Sequence, residues 1–453
     1  MKMVKEGSLE KLRSISQQHI FNYFEDLNPE QQKSLDSQIQ AINIPTFRMQ
    51  QQLLLQHHHH APRFLDAFDK ITYSGNEALF EAGKKLIAEG KVGCLVVAGG
   101  MGSRLNFEGP KGMFPISLIK QKSIFQMIAE KTLAAGKQAG IPLSIAFMTS
   151  PLNHQQTIDF FETHQFFGLQ RNQIDFFCQD MLPLLDHEGN LFLDRMDHLA
   201  VGPDGNGTAL QHFVKSGIWE KWHGKGIRFL NFILLDNLLA DPFDAELAGF
   251  HQSENVDIVI KCTSRKDPRE NVGIILEQED KVKVIEYSEL PDAEKTAVDS
   301  QGNLKHIAAN LSLFSFSMDF IQQHANEPLP MHLAHKKAEY LNPAGVVVKS
   351  HAWKFERFIF DILPLAWSIK ALLYPREVCF APLKNDQGAD NPDAVREALQ
   401  QMDRIQFEKI TGKIPSERPF ELDQAFYYPT PEFIKLWKRK ELPETPYIEG
   451  EQE

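Results

Sequence analysis

The chain has 453 residues, 42% of them hydrophobic, and a formal net charge of −12 at pH 7. That length allows a large core and two or three domains, while ordinary glycine and proline usage without internal repeats excludes collagen-like, solenoid and disordered classes. The acidic balance argues against a nucleic-acid partner, which needs a basic field, so any phosphate chemistry rests on a few local cations. Charges are scattered through the first ten residues with no apolar segment behind them, and nowhere do about 18 apolar residues run together. The expectation is a chain that is neither secreted nor membrane-spanning. Cys94, Cys178, Cys262 and Cys379 are dispersed without CxxC spacing, which disfavours a zinc knuckle or a disulfide framework and fits a reducing cytoplasm.

The N-terminal stretch reads as helical. Leu9, Leu12, Ile15, Ile20, Tyr23, Phe24 and Leu27 recur at helical spacing. A second helix starts at Asn28, with Pro29 at its first position and Gln31 placed to reach back, and Leu35, Ile39 and Ile42 continue the stripe. Residues 1–88 are therefore expected to form a helical region of no readable function. From Lys91 short apolar runs alternate with amphipathic stretches, an α/β pattern. Strands are predicted at 93–97, 143–148, 228–235 and 257–262, with helices at 123–135 and 155–161, giving a mostly parallel sheet. A hairpin at 272–276 and 282–287 and an alternating strand at 311–317 predict an antiparallel excursion. Ligands of open α/β sheets lie outside the carboxyl ends of the strands, so the residues just beyond each strand are the candidates.

The first such place is LVVAGGMGSRL, residues 95–105, where a buried strand breaks into a loop containing Gly99, Gly100 and Gly102, with Arg104 beyond. Such a loop lets backbone amides approach an anion, and the guanidinium adds charge. Leu105 occupies the third glycine position of the dinucleotide fingerprint, and no GxxxxGK[ST] occurs, so both common phosphate loops fail. Pro110, Lys111 and Gly112 bring a second cation; a solvated loop lysine is the bland alternative.

GGxGxR followed by PKG and KSIFQ (122–126) resembles the UDP-sugar pyrophosphorylase family, the eukaryote-type UTP:sugar-1-phosphate uridylyltransferases. CQDMLPLL (178–185), GPDGNGTAL (202–210), LLDN (234–237), VIEYSEL (284–290), Asn310 and APLKNDQGADNP (381–392) continue the resemblance in the family's order, from about residue 95 to 398. It implies a Rossmann-like, GT-A-like mixed α/β sheet at 89–378 and a short C-terminal lobe at 379–453. Uracil would be read by Gln179 and the loop Gly205, Asn206 and Gly207, sugar hydroxyls would meet Glu286 and Asn310, and Asp236 would hold Mg²⁺. Lys384 would join Arg104 and Lys111 at the phosphates from a lobe closing over the site.

Each motif also has a physical reading. A glutamine amide offers the donor and acceptor that a uracil edge requires, whereas a lone Gln before a turn is usually solvated. The glycines of PDGNG would let the loop pass close to a flat base, the alternative being a type I turn. A carboxylate ending a strand at the crevice suits magnesium, or is merely a cap. His57 to His60 point in different directions on a helix and read as an exposed polar tract, and the 33 phenylalanines read as core.

The implied reaction is in-line transfer of uridylate from UTP to a sugar 1-phosphate, giving a UDP-sugar and pyrophosphate. The PLKN segment with Arg396 behind it favours the N-acetylglucosamine branch; glucose 1-phosphate or a broad sugar range is the alternative. Met101, Asn106 and Thr208 depart from the family pattern, two of them where it has glycine, and the departures at Met101 and Asn106 leave a catalytically weak sugar-nucleotide-binding protein as a reading of another class. The chain after about residue 404 reads as short and polar.

Overall fold

The apolar stripe of the first thirty residues is present, but the helix carrying it stops early. In the computed structural model, which describes residues 2–55, 65–342, 344–415, 417–441 and 445–450, the first helix is Lys2–Ser14, followed by short 3-10 turns at Gln18–Phe21 and Phe24–Asp26. Ser16 turns left-handed (φ 58°), and the Gln17 amide returns to Leu12 O at 2.8 Å. The break frees Gln17, whose side chain accepts from Leu191 N at 2.8 Å. The next helix, Pro29–Ala41, starts as its sequence demands. The Asn28 side chain accepts from Glu30 and Gln31 N, and Gln31 reaches back to Asn28 N.

The chain divides into two compact units, each assembled from stretches distant in sequence. One comprises Met1–His60, Gln179–Thr208 and Pro328–Phe358; the other comprises Ala61–Cys178, Ala209–Glu327 and Ile359–Glu453. This differs from the three consecutive segments expected at 1–88, 89–378 and 379–453. The N-terminal helices need an apolar partner, and they find it in strands from 179–208 and 328–358. The C-terminal segment belongs with the larger sheet.

Numbered in chain order, the strands are β1 (Leu65–Ala67), β2 (Ile71–Tyr73), β3 (Val92–Val97), β4 (Ile145–Thr149), β5 (Ile174–Cys178), β6 (Met181–Pro183), β7 (Leu193–Arg195), β8 (His198–Leu199) and β9 (Val201–Pro203). They continue with β10 (Phe229–Leu234), β11 (Ile258–Ser264), β12 (Ile274–Gln278), β13 (Lys281–Ile285), β14 (Ala308–Ser317), β15 (His332–Leu341), β16 (Val347–Glu356) and β17 (Ile369–Tyr374). The larger unit is built on one sheet in the order β2-β17-β11-β14-β10-β3-β4-β5, parallel throughout except for β14. Strands β3 and β4 are almost wholly apolar and buried along their length, as strands covered on both faces require. The excursion is the antiparallel pair β12–β13, joined to β1 and β14. Helix Ile124–Ala139 runs from Ser123, whose hydroxyl accepts from Gln126 N, to Gly140 in the left-handed conformation.

In the smaller unit, Leu12, Ile39 and Phe47 of the helices pack with Leu185, Leu191 and Phe355. Gln50 donates to Pro183 O at 2.9 Å, and Tyr23 donates to Asn342 O at 2.7 Å. The helical region thus scaffolds the antiparallel pair β6–β9. The end of the chain is not simply polar either: Phe407, Phe426, Phe433 and Trp437 form a buried cluster in the larger unit. His57 to His60 lie outside the described residues.

Candidate active site

β3 ends at Val97, and the chain opens into the glycine loop at the carboxyl edge of the sheet. Two buried polar residues after β4 hold the loop's start: Ser150 Oγ donates to Gly99 O at 2.8 Å, and Asn153 Nδ2 donates to Ala98 O and Gly100 O at 2.9 and 3.1 Å. The loop closes on itself through Gly102 N to Gly109 O (2.9 Å) and Lys111 N to Gly100 O (3.1 Å). A Cβ at Gly102 would stand 2.7 Å from Phe107 Cδ1, whereas one at Gly100 would meet nothing within 4 Å. Gly102 therefore serves packing, and Gly100 presents open backbone. Asn106 is left-handed (φ 51°), a conformation asparagine tolerates, and its Nδ2 donates to Asp386 Oδ2 at 2.8 Å. This departure keeps a glycine-like backbone and adds a tie to the lysine motif. Nothing in the structure explains the Met101 side chain.

Across from the loop, β10 delivers Asp236. Its carbonyl accepts from Leu383 N at 2.7 Å, the Asn237 amide bridges Cys379 O (2.8 Å) and Ala381 N (2.9 Å), and Leu238 N donates to Ala381 O at 3.1 Å. These bonds fasten the lysine motif to the strand end. Lys111 Nζ donates to Leu383 O at 2.5 Å and lies 3.8 Å from Asp236 Oδ2. Burial lowers the Lys111 pKa below the usual lysine value, Asp236 opposes the shift, and the charges of Arg104 and Lys384 add to it. Asp386 N donates to Arg104 O at 3.0 Å, and Lys384 Nζ faces Asp390 Oδ2 at 3.6 Å. Arg104, Lys111, Asp236 and Lys384, drawn from three distant segments, thus share one electrostatic site within the larger unit. Lys384 reaches it from the same unit, not from a separate lobe.

Among the described residues no three His, Cys, Asp or Glu side chains gather as a cage, and the carboxylate beside Lys111 is that of Asp236, about a third exposed. That suits magnesium, which keeps waters and takes substrate phosphates as further ligands.

The expected uracil readers belong to the smaller unit. In the β6–β9 pair Met181 faces Pro203, and Asp204 N donates to Asp180 O at 3.3 Å, so the ladder brings Gln179 toward Gly205. Gln179 is 5% exposed rather than solvated. The loop glycines have a packing reason that the sequence does not show. A Cβ at Gly205 (φ 91°) would stand 2.2 Å from Arg357 O, and one at Gly207 would stand 2.7 Å from Arg357 C. They make room for the Arg357 backbone. Gly207 N donates to Arg357 O at 2.9 Å, and Arg357 N donates to Asp204 O at 2.7 Å. Sequence reasoning missed Asp204, although it lies inside the PDGNG motif, and Arg357, which no local pattern marks.

Glu286 lies one residue past β13, where its carbonyl accepts from Glu289 N and Leu290 N. Asn310 is 8% exposed and sits in β14 beside a register shift, with Ser312 left-handed. Its Oδ1 accepts from Ser312 N at 3.0 Å, so the amide partly holds its own bulge. Both side chains flank Gly273, whose Cβ would stand 3.2 Å from Glu286 Oε1 and 3.7 Å from Asn310 Cβ. Arg396 donates to Ile116 O at 3.3 Å and pairs with Asp393, tying the helix Pro392–Thr411 to the loop after Lys111.

The family model described as UTP--glucose-1-phosphate uridylyltransferase matches residues 56–358. The chain belongs to this family. It is 30% identical over 418 residues to a protein of Arabidopsis thaliana named UDP-N-acetylglucosamine diphosphorylase 2, covering 86% of this chain and 82% of that one. It is 33% identical over 331 residues to the UDP-N-acetylglucosamine pyrophosphorylase of Saccharomyces cerevisiae, 69% of each chain. The fold matches that of the uridine diphosphate N-acetylglucosamine pyrophosphorylase from Trypanosoma brucei with a TM-score of 0.82 at 22% identity, covering 98% of both chains.

Proposed function

We propose that the protein joins UTP to a sugar 1-phosphate, most readily N-acetylglucosamine 1-phosphate, releasing pyrophosphate. The observation that carries this reading is the gathering of Arg104, Lys111 and Lys384 around Asp236 at the carboxyl edge of the sheet. An oxygen of the sugar phosphate forms a bond to the α-phosphorus of UTP. The bond from that phosphorus to the α,β-bridging oxygen breaks, and pyrophosphate departs with that oxygen. No covalent nucleophile is required; fixed charge and positioning supply the catalysis.

In this reading Arg104, Lys111 and Lys384 neutralise charge on the phosphates as the leaving group develops. Lys111 is anchored by Leu383 O and held against Asp236, so its ammonium needs little reorganisation during the reaction. Asp236 would hold Mg²⁺, whose chemistry when bound is to draw charge from the phosphate oxygens. Gln179 takes the uracil edge, with the loop from Gly205 through Asn206 to Gly207 beside it, and Glu286 and Asn310 take sugar hydroxyls.

The names of the relatives support the N-acetylated sugar, while the family model's description keeps glucose 1-phosphate as the second reading. No described helix is long and apolar enough to cross a membrane, and the four cysteines form no disulfide, in keeping with work in the cytoplasm. Incubating the protein with UTP, Mg²⁺ and a panel of sugar 1-phosphates while measuring pyrophosphate tests the reading. N-acetylglucosamine 1-phosphate is expected to give a higher kcat/KM than glucose 1-phosphate. The reverse order would move the assignment to glucose, and no turnover with any sugar would leave a sugar-nucleotide binder.

A further inference from the structure

The loop 204–208 ends in Thr208, one of the departures from the family pattern, and the structure gives that hydroxyl a task. Thr208 Oγ1 donates to Asp204 Oδ2 at 2.8 Å, closing the loop across its two glycines. Asp204 is 1% exposed, its Oδ1 is buried with no hydrogen-bond partner among the described residues, and the Arg357 guanidinium stands 3.9 Å from Oδ2. A buried carboxylate loses hydration that its few partners must replace, so the Thr208 hydroxyl matters more here than a surface hydrogen bond would. The same short segment is tied to Arg357 on both sides, through Arg357 N to Asp204 O and Gly207 N to Arg357 O, and to Asp180, the neighbour of Gln179, through Asp204 N.

We propose that Thr208 and Asp204 are positioning residues for nucleotide recognition: their side-chain clasp fixes the loop against Arg357 and so holds the backbone beside Gln179 in register. The inference rests on the uridylyltransferase reading for what the loop contacts, but the clasp itself is a property of the chain. Burial pushes the Asp204 carboxyl up to about 7; the Thr208 hydroxyl opposes this, the Asp180 charge adds to it, and Arg357 opposes it. Removing the hydroxyl therefore raises the carboxyl further and favours its neutral form.

The test compares Thr208→Val, which keeps the shape without the donor, with Thr208→Ser, which restores the donor. Thr208→Val is expected to raise KM for UTP about tenfold or more, the size of a hydrogen bond to a charged acceptor. kcat should stay within about twofold, and KM for the sugar 1-phosphate should not change. Thr208→Ser is expected to recover most of the loss, and the pH at which KM for UTP changes should move upward in the valine variant. Hydrogen exchange of residues 204–208, read without any substrate, should speed up in Thr208→Val and not in Thr208→Ser. An unchanged KM for UTP, equal behaviour of the two variants, or unchanged exchange would each overturn the clasp. A wild-type protein without UTP-dependent pyrophosphate release would instead overturn the functional reading, and the exchange measurement would still decide the clasp.

Discussion

Asp236 is the residue on which the proposed chemistry depends most. Its carboxylate faces Lys111 Nζ at 3.8 Å, while its backbone carbonyl takes the structural bond from Leu383 N. The Asp236→Ala protein therefore keeps that bond and its fold. Its kcat is expected to fall about a hundredfold or more, since each tenfold corresponds to about 1.4 kcal/mol and magnesium contributes several. Near-normal turnover with ordinary magnesium dependence and an unchanged melting temperature would remove the metal role. Gln179, buried at the end of the β6–β9 pair, is expected to lose UTP-over-CTP selectivity by roughly ten- to a hundredfold on replacement by alanine, the cost of about 1–3 kcal/mol for an unpaired polar partner. Unchanged selectivity would take Gln179 out of base recognition. These residues were legible because each stands alone after an apolar strand or within a short motif. Arg357 was not, because its contribution is mostly backbone, which any residue type supplies.

At the scale of elements, helix Ile124–Ala139 supports the turn after Asp236. Lys131, 7% exposed, donates to Leu238 O and Ala240 O at 3.0 Å each, and burial lowers its pKa to about 8. Replacing Lys131 by methionine leaves two carbonyls unsatisfied, and each such group costs about 1–3 kcal/mol. Both melting temperature and kcat should fall, with KM for the sugar phosphate less affected; unchanged values would mean that the turn holds itself. The helix Pro392–Thr411 carries a second buried group, Asp403, which accepts from Tyr427 OH at 2.6 Å and Leu422 N at 3.3 Å. Burial raises its carboxyl to about 7, above the unfolded value of about 3.9. The native state then binds more protons than the unfolded chain between these values, so the stability Asp403 contributes is full below pH ~4 and is lost as pH rises through ~7. Asp403→Asn is expected to flatten the fall in melting temperature over that window. An identical slope would show that other groups set it.

For the whole molecule, the notable fact is that each unit is discontinuous in sequence. The last fifty residues read as a polar appendage, yet they bury Phe407, Phe426, Phe433 and Trp437. Glu421 Oε2 accepts from Ile119 N and Lys120 N at 2.7 and 3.0 Å, and Lys122 Nζ donates to Glu130 Oε2 and to Tyr447 OH at 2.6 and 2.9 Å. A chain ending at Arg404 should therefore unfold at a clearly lower temperature or aggregate, since the Ile119 and Lys120 amides lose their Glu421 acceptor, Lys122 loses Tyr447 and the helix Pro392–Thr411 is cut within its length, each lost hydrogen bond costing about 1 kcal/mol. Retention of the full-length melting temperature would show the segment to be dispensable.

Local pattern alone determined the strand and helix types of the central sheet, the capping of the helix at Asn28, the family, and the positions of Arg104, Lys111, Asp236 and Lys384, because apolar runs, caps and glycine loops are written in neighbouring residues. Hairpin ends, the broken first helix and the grouping into units lay beyond it: each depends on contacts with partners far away in sequence, such as Gln17 on Leu191 or the N-terminal helices on 179–208. The purpose of the PDGNG glycines was likewise decided by tertiary structure. Their missing side chains are explained by the Arg357 backbone lying within 3 Å, and steric exclusion by a residue about 150 positions away leaves no mark on the motif itself.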